Sequence, residues 1–167
     1  MKNSNIMLVA YYNKKALGVR YLETALKKDG YNVYTVFYKD FNSVHPTVTT
    51  QKELDLLKKE IEDKKPLFIG LSVMSSMYLD TVNAMIDMIQ KNFSLPIVCG
   101  GAFASMFPEY FLDKGVEFVI RCDGEYAICA LADSLNTGAP YGQIESLCYK
   151  KDGKNVINEI GHITNNI

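Results

Sequence analysis

The stretch LPIVCGGA, residues 95–102, decides the fold class, because an apolar segment of strand length runs directly into two glycines. Residues 95–99 carry no charged side chain, which is typical of a strand that is buried on both faces of a sheet. Such strands belong to parallel sheets, since the crossover connections between them place helices over both faces. Gly100 and Gly101 then raise the question of what lies so close to the chain that two successive side chains are absent.

The segments on either side of this stretch repeat the same alternation of strand and helix. Apolar runs are followed by helical stripes, such as Val19, Leu22 and Leu26, in which apolar residues recur every three or four positions. This pattern predicts, over residues 1–138, a doubly wound, flavodoxin-like α/β domain. Its five-stranded parallel sheet is expected in the order 2-1-3-4-5, wholly apolar and with helices on both faces. The predicted strands lie at 5–12, 31–38, 66–73, 95–99 and 116–120.

The character of the sequence changes after Gly138. Residues 139–160 predict a β-hairpin appendage with its turn at Lys151-Asp152-Gly153. Residues 161–167 have no helix signal and are predicted to be a linker. The sequence therefore divides into one α/β domain, an appended hairpin and a short tail.

The composition is that of an ordinary globular protein, with 48% hydrophobic and 22% charged residues in a chain of 167. A net charge of -1 gives no electrostatic reason to expect nucleic acid as a partner. No apolar run reaches the length of a membrane span, so no membrane partner is expected either. The N-terminal residues lack the zones of a signal peptide, which favours a cytoplasmic location.

Ligands of open parallel sheets bind outside the carboxyl ends of the strands, here the loops that begin near Tyr11, Ser72, Gly100 and Arg121. These loops lack the acids of a phosphoacceptor receiver, the phosphate loop of a flavodoxin and the Gly-x-Gly-x-x-Gly of a dinucleotide fold. A P-loop and a nucleophile elbow are absent too. Small residues at three neighbouring strand ends instead predict a slot for a flat or extended ligand. Each of them alone has a simpler explanation, in a tight turn or as a helix cap.

Four motifs in these loops form a recognisable set. They are LGVRYL at 17–22, GLS at 70–72, GGAFASMFPE at 100–109 and RCDGE at 121–125. Except at Phe103, the third matches a family pattern of Gly-Gly-x-His-Ala-Ser/Thr followed by Pro-Glu, and the fourth matches Arg-Gly-Glu-Gly-Glu at its first and last two positions. From residue 5 to about 160, the chain resembles the N-terminal cobalamin-binding domain of the cobalamin-dependent radical SAM proteins. That family includes anaerobic magnesium-protoporphyrin monomethyl ester cyclases and many methyltransferases.

The resemblance implies cobalamin as cofactor, bound base-off, that is, with its dimethylbenzimidazole nucleotide tail removed from cobalt and lowered into the sheet. It implies that Gly100 and Gly101 let the tail pass between strands and that Ser72 offers it a hydrogen bond. Leu17 and Gly18 would lie near the lower face of the corrin ring, and Gly124 and Glu125 would close the far wall. No catalytic residue and no protein metal ligand is expected. The cofactor-binding residues implied are Leu17, Gly18, Ser72, Val73, Met74, Gly100, Gly101, Ala102, Gly124 and Glu125.

The sequence departs from the family at two motifs and lacks one histidine. Phe103 stands where the family has histidine, and Cys122-Asp123 stands where it has Gly-Glu. Other cobalamin modules carry Asp-x-His-x-x-Gly after strand one, and that histidine ligates cobalt. The corresponding segment YYNKKALG, residues 11–18, has none, so cobalt is expected without histidine ligation. Of the two histidines, His45 lies in the loop after strand two, where a solvated role is the simpler interpretation.

Catalysis in this family requires a second domain. A radical SAM core uses S-adenosylmethionine and holds a 4Fe–4S cluster through Cys-x-x-x-Cys-x-x-Cys, a spacing that cysteines 99, 122, 129 and 148 do not have. The isolated chain is therefore predicted not to be an enzyme. Residues 161–167 would lead in cis to a radical SAM core that acts as a methyltransferase or oxidoreductase. The alternatives are a scaffold domain that has lost cobalamin, favoured by Phe103 and by the missing histidine, and a small flavodoxin-like enzyme with an unrecognised substrate.

Overall fold

The computed structural model describes residues 2–40 and 47–161, and within them seven strands form one mixed sheet. The strand order is β2-β1-β3-β4-β5-β6-β7. The strands are β1 (Asn5–Tyr11), β2 (Asn32–Tyr38), β3 (Ile69–Ser72), β4 (Ile97–Gly100), β5 (Phe118–Ile120), β6 (Leu147–Lys151) and β7 (Lys154–Ile157). The helices are α1 (Leu17–Lys28), α2 (Gln51–Lys64), α3 (Leu79–Asn92), α4 (Ala102–Met106), α5 (Pro108–Asp113) and α6 (Glu125–Thr137), with a 3₁₀ turn at Ser76–Tyr78.

The predicted five-stranded parallel sheet is only part of the observed one. Strands β1 to β5 run parallel, whereas β6 pairs antiparallel with β5 and β7 pairs antiparallel with β6. The hairpin therefore extends the main sheet, with Cys148 opposite Val119. The physical reason is that the free edge of β5 carries unpaired N–H and C=O groups, which a neighbouring strand satisfies. The linker predicted at 161–167 lies, apart from its first residue, outside the described residues, as does His45.

The expectation of wholly apolar strands is correct for the centre of the sheet and wrong for its edge. Strand β1 is buried along almost its whole length, whereas β2 exposes Asn32, Tyr34 and Phe37 and buries only Tyr38 fully. Strand β2 is one of the two edge strands of the described sheet, so it has a neighbouring strand on one side only. Two basic side chains cover the exposed rings, with Lys64 Nζ 5.0 Å from the Tyr34 ring centre and the Arg20 guanidinium 5.0 Å from that of Phe37.

Two hydrophobic cores lie on the two faces of the sheet. One packs α2, α3, α4 and α5 against Met7, Val9 and the other residues that point to that face. The second packs α1 and α6 against Ile6 and Leu8, because neighbouring residues of a strand point to opposite faces. The helices are therefore divided over both faces, as the doubly wound pattern predicts. In the described part of the chain, no helix combines the length and the apolar character that crossing a membrane requires.

Helix α4 follows β4 directly and was not predicted from the sequence. It has five residues, which is too short for a recognisable apolar stripe. It begins after Gly101, whose φ is +96° and ψ is 174°. This region of backbone space is open almost only to glycine. The sharp change of direction at Gly101 places α4 against the same face of the sheet as α5.

Candidate cofactor-binding site

Three small residues lie side by side on the face of the sheet that α1 and α6 cover. Ala10 on β1 is the register partner of Ser72 on β3, and Ser72 is the register partner of Gly100 on β4. This row, called the small-residue row below, projects at most a methyl or hydroxymethyl group toward the helices. Most other positions on this face carry large side chains, such as Ile6 and Ile120. The row therefore leaves space between the sheet and the two helices at the carboxyl edge of β3 and β4.

That space is a cavity of about 450 Å³. Ser72 and Gly100 of the small-residue row lie at its sheet side, Val19 and Leu22 of α1 form one wall, and Ile128 of α6 forms part of the opposite wall. The loop of Cys122, Asp123 and Gly124 closes the end next to β5. The cavity opens at the carboxyl edge of the sheet, where a doubly wound fold binds its ligands.

The structure brings together most of the residues that the resemblance implied. Eight of them line the cavity, namely Gly18, Ser72, Met74, Gly100, Gly101, Ala102, Gly124 and Glu125. Leu17 is not in the lining and is 67% exposed, beside the mouth on the first turn of α1. Val73 is fully buried in the core on the opposite face. Val73 fails to reach the cavity because it follows Ser72 by one position and so points to the other side of the sheet.

The structure shows no opening between β3 and β4, where the resemblance implies that the nucleotide tail passes. Ser72 and Gly100 pair in the parallel ladder, and the Val73 amide continues it by donating to the Gly100 carbonyl oxygen at 2.7 Å. Opening β3 from β4 at this point would break these hydrogen bonds. The available space instead lies over the face of the sheet, between the small-residue row and helices α1 and α6.

The two neighbouring glycines have different reasons for lacking a side chain. A Cβ atom on Gly100 would come no closer than 3.7 Å to its nearest neighbour, the carbonyl oxygen of Ile120, so the space beside Gly100 is open. A Cβ atom on Gly101 would lie 2.7 Å from the carbonyl oxygen of Val73, well inside van der Waals contact. Gly101 also has a positive φ. The turn and the close approach of the backbone therefore require a glycine at position 101. Neither applies to Gly100, whose missing side chain only leaves space in the cavity.

Neither departure from the family motifs closes the cavity. Phe103 is half-buried on the opposite face, where its ring lies 5.0 Å from that of Phe107 and 6.1 Å from that of Phe111. Cys122 lines the cavity with φ +60°, a left-handed conformation that explains a glycine in the family pattern. Its amide donates to Ser105 Oγ at 2.9 Å, which ties the β5–α6 loop to α4. The side chain of Phe103 is thus no obstacle to a ligand in the cavity.

The cysteines do not converge on a metal or cluster site. Cys99 and Cys148 are buried on the α2/α3 face, Cys122 is exposed at the cavity lip, and Cys129 lies half-buried on α6. Burial raises the pKa of Cys129 and of Cys148 to about 11 and the pKa of Cys99 further above its usual range. These three thiols therefore stay protonated near neutral pH. Among the described residues, no three His, Cys, Asp or Glu side chains are grouped as a metal site.

Several cavity residues have the sequence pattern of ordinary core residues. Val19 and Ile128 belong to the apolar stripes of α1 and α6, and Ile120 ends an apolar strand. An apolar stripe predicts that a side chain faces the sheet and gives no sign that a gap lies in between. Ser105 also lines the cavity, and its place in α4 was not predicted. The small residues at 10, 72 and 100 are the signal that the sequence carries, and the register of the three strands places them in one row.

Large apolar side chains are exposed around the mouth of the cavity. They occur in the segments that follow β1, β3, β4 and β5, all at the carboxyl edge, with Met106 71% and Tyr126 73% exposed. Exposed apolar side chains gathered at one edge are typical of a surface that another group covers. This set is called the apolar rim below and comprises Leu17, Tyr21, Met74, Met77, Met106, Phe107 and Tyr126.

The fold and the cavity define a class: a doubly wound α/β domain with an apolar ligand cavity between its sheet and two helices, open at the carboxyl edge. The sequence model of the B12 binding domain family matches residues 4–132. That match covers more than half of the chain, and the chain belongs to the B12-binding domain family. No curated protein sequence matches it.

Solved structures share the fold. The radical S-adenosylmethionine methyltransferase TsrM from Kitasatospora setae, with cobalamin and a 4Fe–4S cluster bound, has a TM-score of 0.77 and 20% identity over 97% of this chain and 30% of its own. The cobalamin-dependent S-adenosylmethionine radical enzyme OxsB, with aqua-cobalamin and S-adenosylmethionine bound, has a TM-score of 0.70 and 19% identity over 97% of this chain and 23% of its own. The methanol:cobalamin methyltransferase complex MtaBC from Methanosarcina barkeri has a TM-score of 0.60 and 16% identity over 82% and 47%. The chain thus spans less than half the length of each, and at these identities the likeness concerns the fold.

Proposed function

We propose that this chain binds cobalamin, with the nucleotide tail in the cavity above the small-residue row and the corrin ring over the apolar rim. We further propose that it presents the corrin to a radical SAM catalytic domain in the same polypeptide. When bound, cobalamin would supply a cobalt centre suited to methyl transfer and related radical chemistry. The role of the chain's own residues would be to hold the cofactor and orient its reactive face.

The observation that carries the proposal is the open space beside Gly100. A Cβ atom placed on Gly100 would meet no atom closer than 3.7 Å, and nothing lies within 4 Å of a Cβ atom placed on Gly18 at the mouth. The lining is mostly apolar, with Ser72 on the sheet side, which fits a flat aromatic base joined to a polar linker. The 11–18 segment has no histidine, so the proposal is base-off binding without histidine ligation.

The apolar rim supports a partner on the far side of the corrin. Leu17, Met74 and Tyr126 stand on three different segments around the mouth, and each is more than half exposed. A corrin ring over the mouth would cover the inner part of this surface. A catalytic domain would then cover the outer part, from Met106 and Phe107. TsrM and OxsB, which are longer than this chain, support a radical SAM domain as that partner.

Titration of the chain with hydroxocobalamin, followed by corrin absorbance and equilibrium dialysis, tests the proposal. The expected result is saturable binding with the spectrum of the base-off form. Gly100→Leu should lower the affinity at least about tenfold, roughly 1.4 kcal/mol, because the new side chain fills the cavity. Its free energy of unfolding should stay close to that of the parent chain, since the side chain enters open space.

Gly142→Leu is the matched control. It adds the same side chain to a glycine outside the cavity with an ordinary φ, where the nearest atom is the terminal hydroxyl oxygen of Tyr149 at 3.0 Å. It should bind hydroxocobalamin like the parent chain. A folded parent chain that binds no hydroxocobalamin would overturn the proposal, and the scaffold alternative would take its place. Equal affinity in Gly100→Leu would show that a ligand binds elsewhere.

A further inference from the structure

The cavity has two levels that differ in polarity. The upper level is the part of the small-residue row that lines the cavity, Ser72 and Gly100. The lower level lies two residues earlier on each strand, where Leu8, Gly70 and Val98 are register partners. Two residues of a strand span about 6.6 Å, so the lower level is the inner end of the cavity.

The inner end is lined by apolar side chains. The Leu8 side chain lies across Gly70, with its Cδ2 atom 2.8 Å from the position of a Cβ on that glycine. Leu8 thereby fills the place of the missing side chain and forms the floor. Val98 and Ile128 complete this end, and all three side chains are buried.

The polar side chains of the lining are confined to the upper level and the lip. Ser72 belongs to the upper row, Ser105 to α4, and Asp123 and Glu125 to the loop and first turn that lead into α6. Tyr21 is 61% exposed at the mouth. Cys99 borders the cavity, but its thiol adds no polar group to the lining because its side chain belongs to the core on the opposite face of the sheet. Among the described residues, no polar side chain lines the inner end.

We infer that the cavity selects cobamides by their lower base, accepting an apolar benzimidazole or phenyl-type ring and discriminating against a purine. This inference rests on the proposed function. A dimethylbenzimidazole ring presents one free ring nitrogen, which can accept a hydrogen bond from the Ser72 hydroxyl at the upper level. Its two methyl groups would be buried against Leu8, Val98 and Ile128. Adenine carries an amino group and further ring nitrogens, and these would lose their water at the inner end without a side-chain partner.

Three ligands test the inference by equilibrium dialysis: cobalamin, the cobamide with adenine as lower base, and cobinamide, which has no nucleotide tail. Cobalamin should bind at least about tenfold, or roughly 1.4 kcal/mol, more tightly than the adenine cobamide. Adenine is a weaker cobalt ligand than benzimidazole and leaves cobalt more easily. Preferential binding of cobalamin therefore cannot come from an easier base-off transition.

The outcomes separate this inference from the proposed function. Failure of all three ligands to bind overturns both. Equal affinity for cobalamin and cobinamide would show that the nucleotide tail adds no binding free energy. That result overturns both the proposed position of the tail in the cavity and the inference. Tighter binding of cobalamin than cobinamide, with equal binding of the adenine cobamide, leaves the proposed function intact and overturns the inference alone.

A variant with a hydroxyl at the inner end provides a second test. Val98→Thr keeps the shape of the side chain and places a hydrogen-bonding group beside the lower base. It should reduce the preference for cobalamin over the adenine cobamide by at least about threefold, or roughly 0.65 kcal/mol. Val119→Thr is the matched control, because Val119 is equally buried on the next strand but faces the opposite core. An unchanged preference in a folded, cobalamin-binding Val98→Thr protein would overturn the inference.

Discussion

Gly101 and Val73 approach each other so closely that a Cβ atom on the glycine would lie 2.7 Å from the Val73 carbonyl oxygen. The same carbonyl oxygen accepts a hydrogen bond from the Phe103 amide at 3.1 Å, within the first turn of α4. The contact thus joins the end of β3 to the start of α4 beside the cavity. Its integrity depends on a residue that has no side chain and can adopt a φ of +96°.

Gly101→Ala should therefore act on folding before it acts on binding. We expect the free energy of unfolding to fall by about 2–4 kcal/mol, from backbone strain and the clash with Val73 together. Urea denaturation measures this loss, and Gly100→Ala on the neighbouring position should lose less than about 1 kcal/mol. Equal stability of the two variants would contradict the separate roles of these glycines.

Ser72→Ala should weaken cobalamin binding without affecting the fold. The change removes one hydroxyl from the upper level of the cavity, and a single hydrogen bond contributes roughly 0.5–1.5 kcal/mol, so the Kd should rise about 2- to 13-fold. Calorimetric titration measures the change in Kd. Ser75→Ala, which removes a serine that caps the 3₁₀ turn outside the cavity lining, is the control and should keep the parent Kd.

Cys122→Gly should make the chain as stable as the parent or more stable. Cys122 adopts φ +60°, a conformation that costs an L-residue about 1 kcal/mol and costs glycine almost nothing. Glycine also has a more flexible unfolded chain, which offsets part of this gain in stability. The hydrogen bond from its amide to Ser105 does not need the side chain. Cys122→Val should instead lower the free energy of unfolding, since a β-branched residue tolerates this conformation poorly. Urea denaturation of both variants decides the point, and a clear loss in Cys122→Gly would contradict it.

The charge of Glu53 should contribute stability that depends on pH. Its carboxylate accepts a hydrogen bond from the Thr50 amide at 2.7 Å and contacts the Lys39 ammonium at 2.9 Å, and both interactions lower its pKa below the ordinary 4.5. A lowered folded pKa means that the contribution is complete above about pH 4.5 and is lost as the pH falls through the folded value. Compared with Glu53→Gln, the parent chain should be more stable by roughly 0.5–1 kcal/mol near pH 7. Urea denaturation from pH 7 to pH 3 should show this difference disappearing, and a difference independent of pH would contradict it.

The sequence by itself determined the fold class and the edge of the sheet where the cavity opens. Apolar runs of strand length can be buried on both faces only in a helix-covered parallel sheet, so local pattern was enough for β1, β3, β4 and β5. The glycines and the serine at the strand ends can be identified directly in the sequence, and the motifs around them are specific enough to indicate the family. The hairpin turn at 151–153 was equally local, because strand alternation and turn residues need no partner to be recognised.

Only the tertiary structure decided what those residues do. That the hairpin joins β5 depends on an edge formed by residues far away in sequence, and no pattern within 139–160 encodes it. The alignment of Ala10, Ser72 and Gly100 depends on the register of three strands, which packing fixes and which a shift of one residue would reverse. The same register turns Val73 away from the cavity and separates Gly100, which leaves space, from Gly101, which makes the turn. A cavity is a gap between elements, so its position follows from how the elements pack and not from the pattern within any one of them.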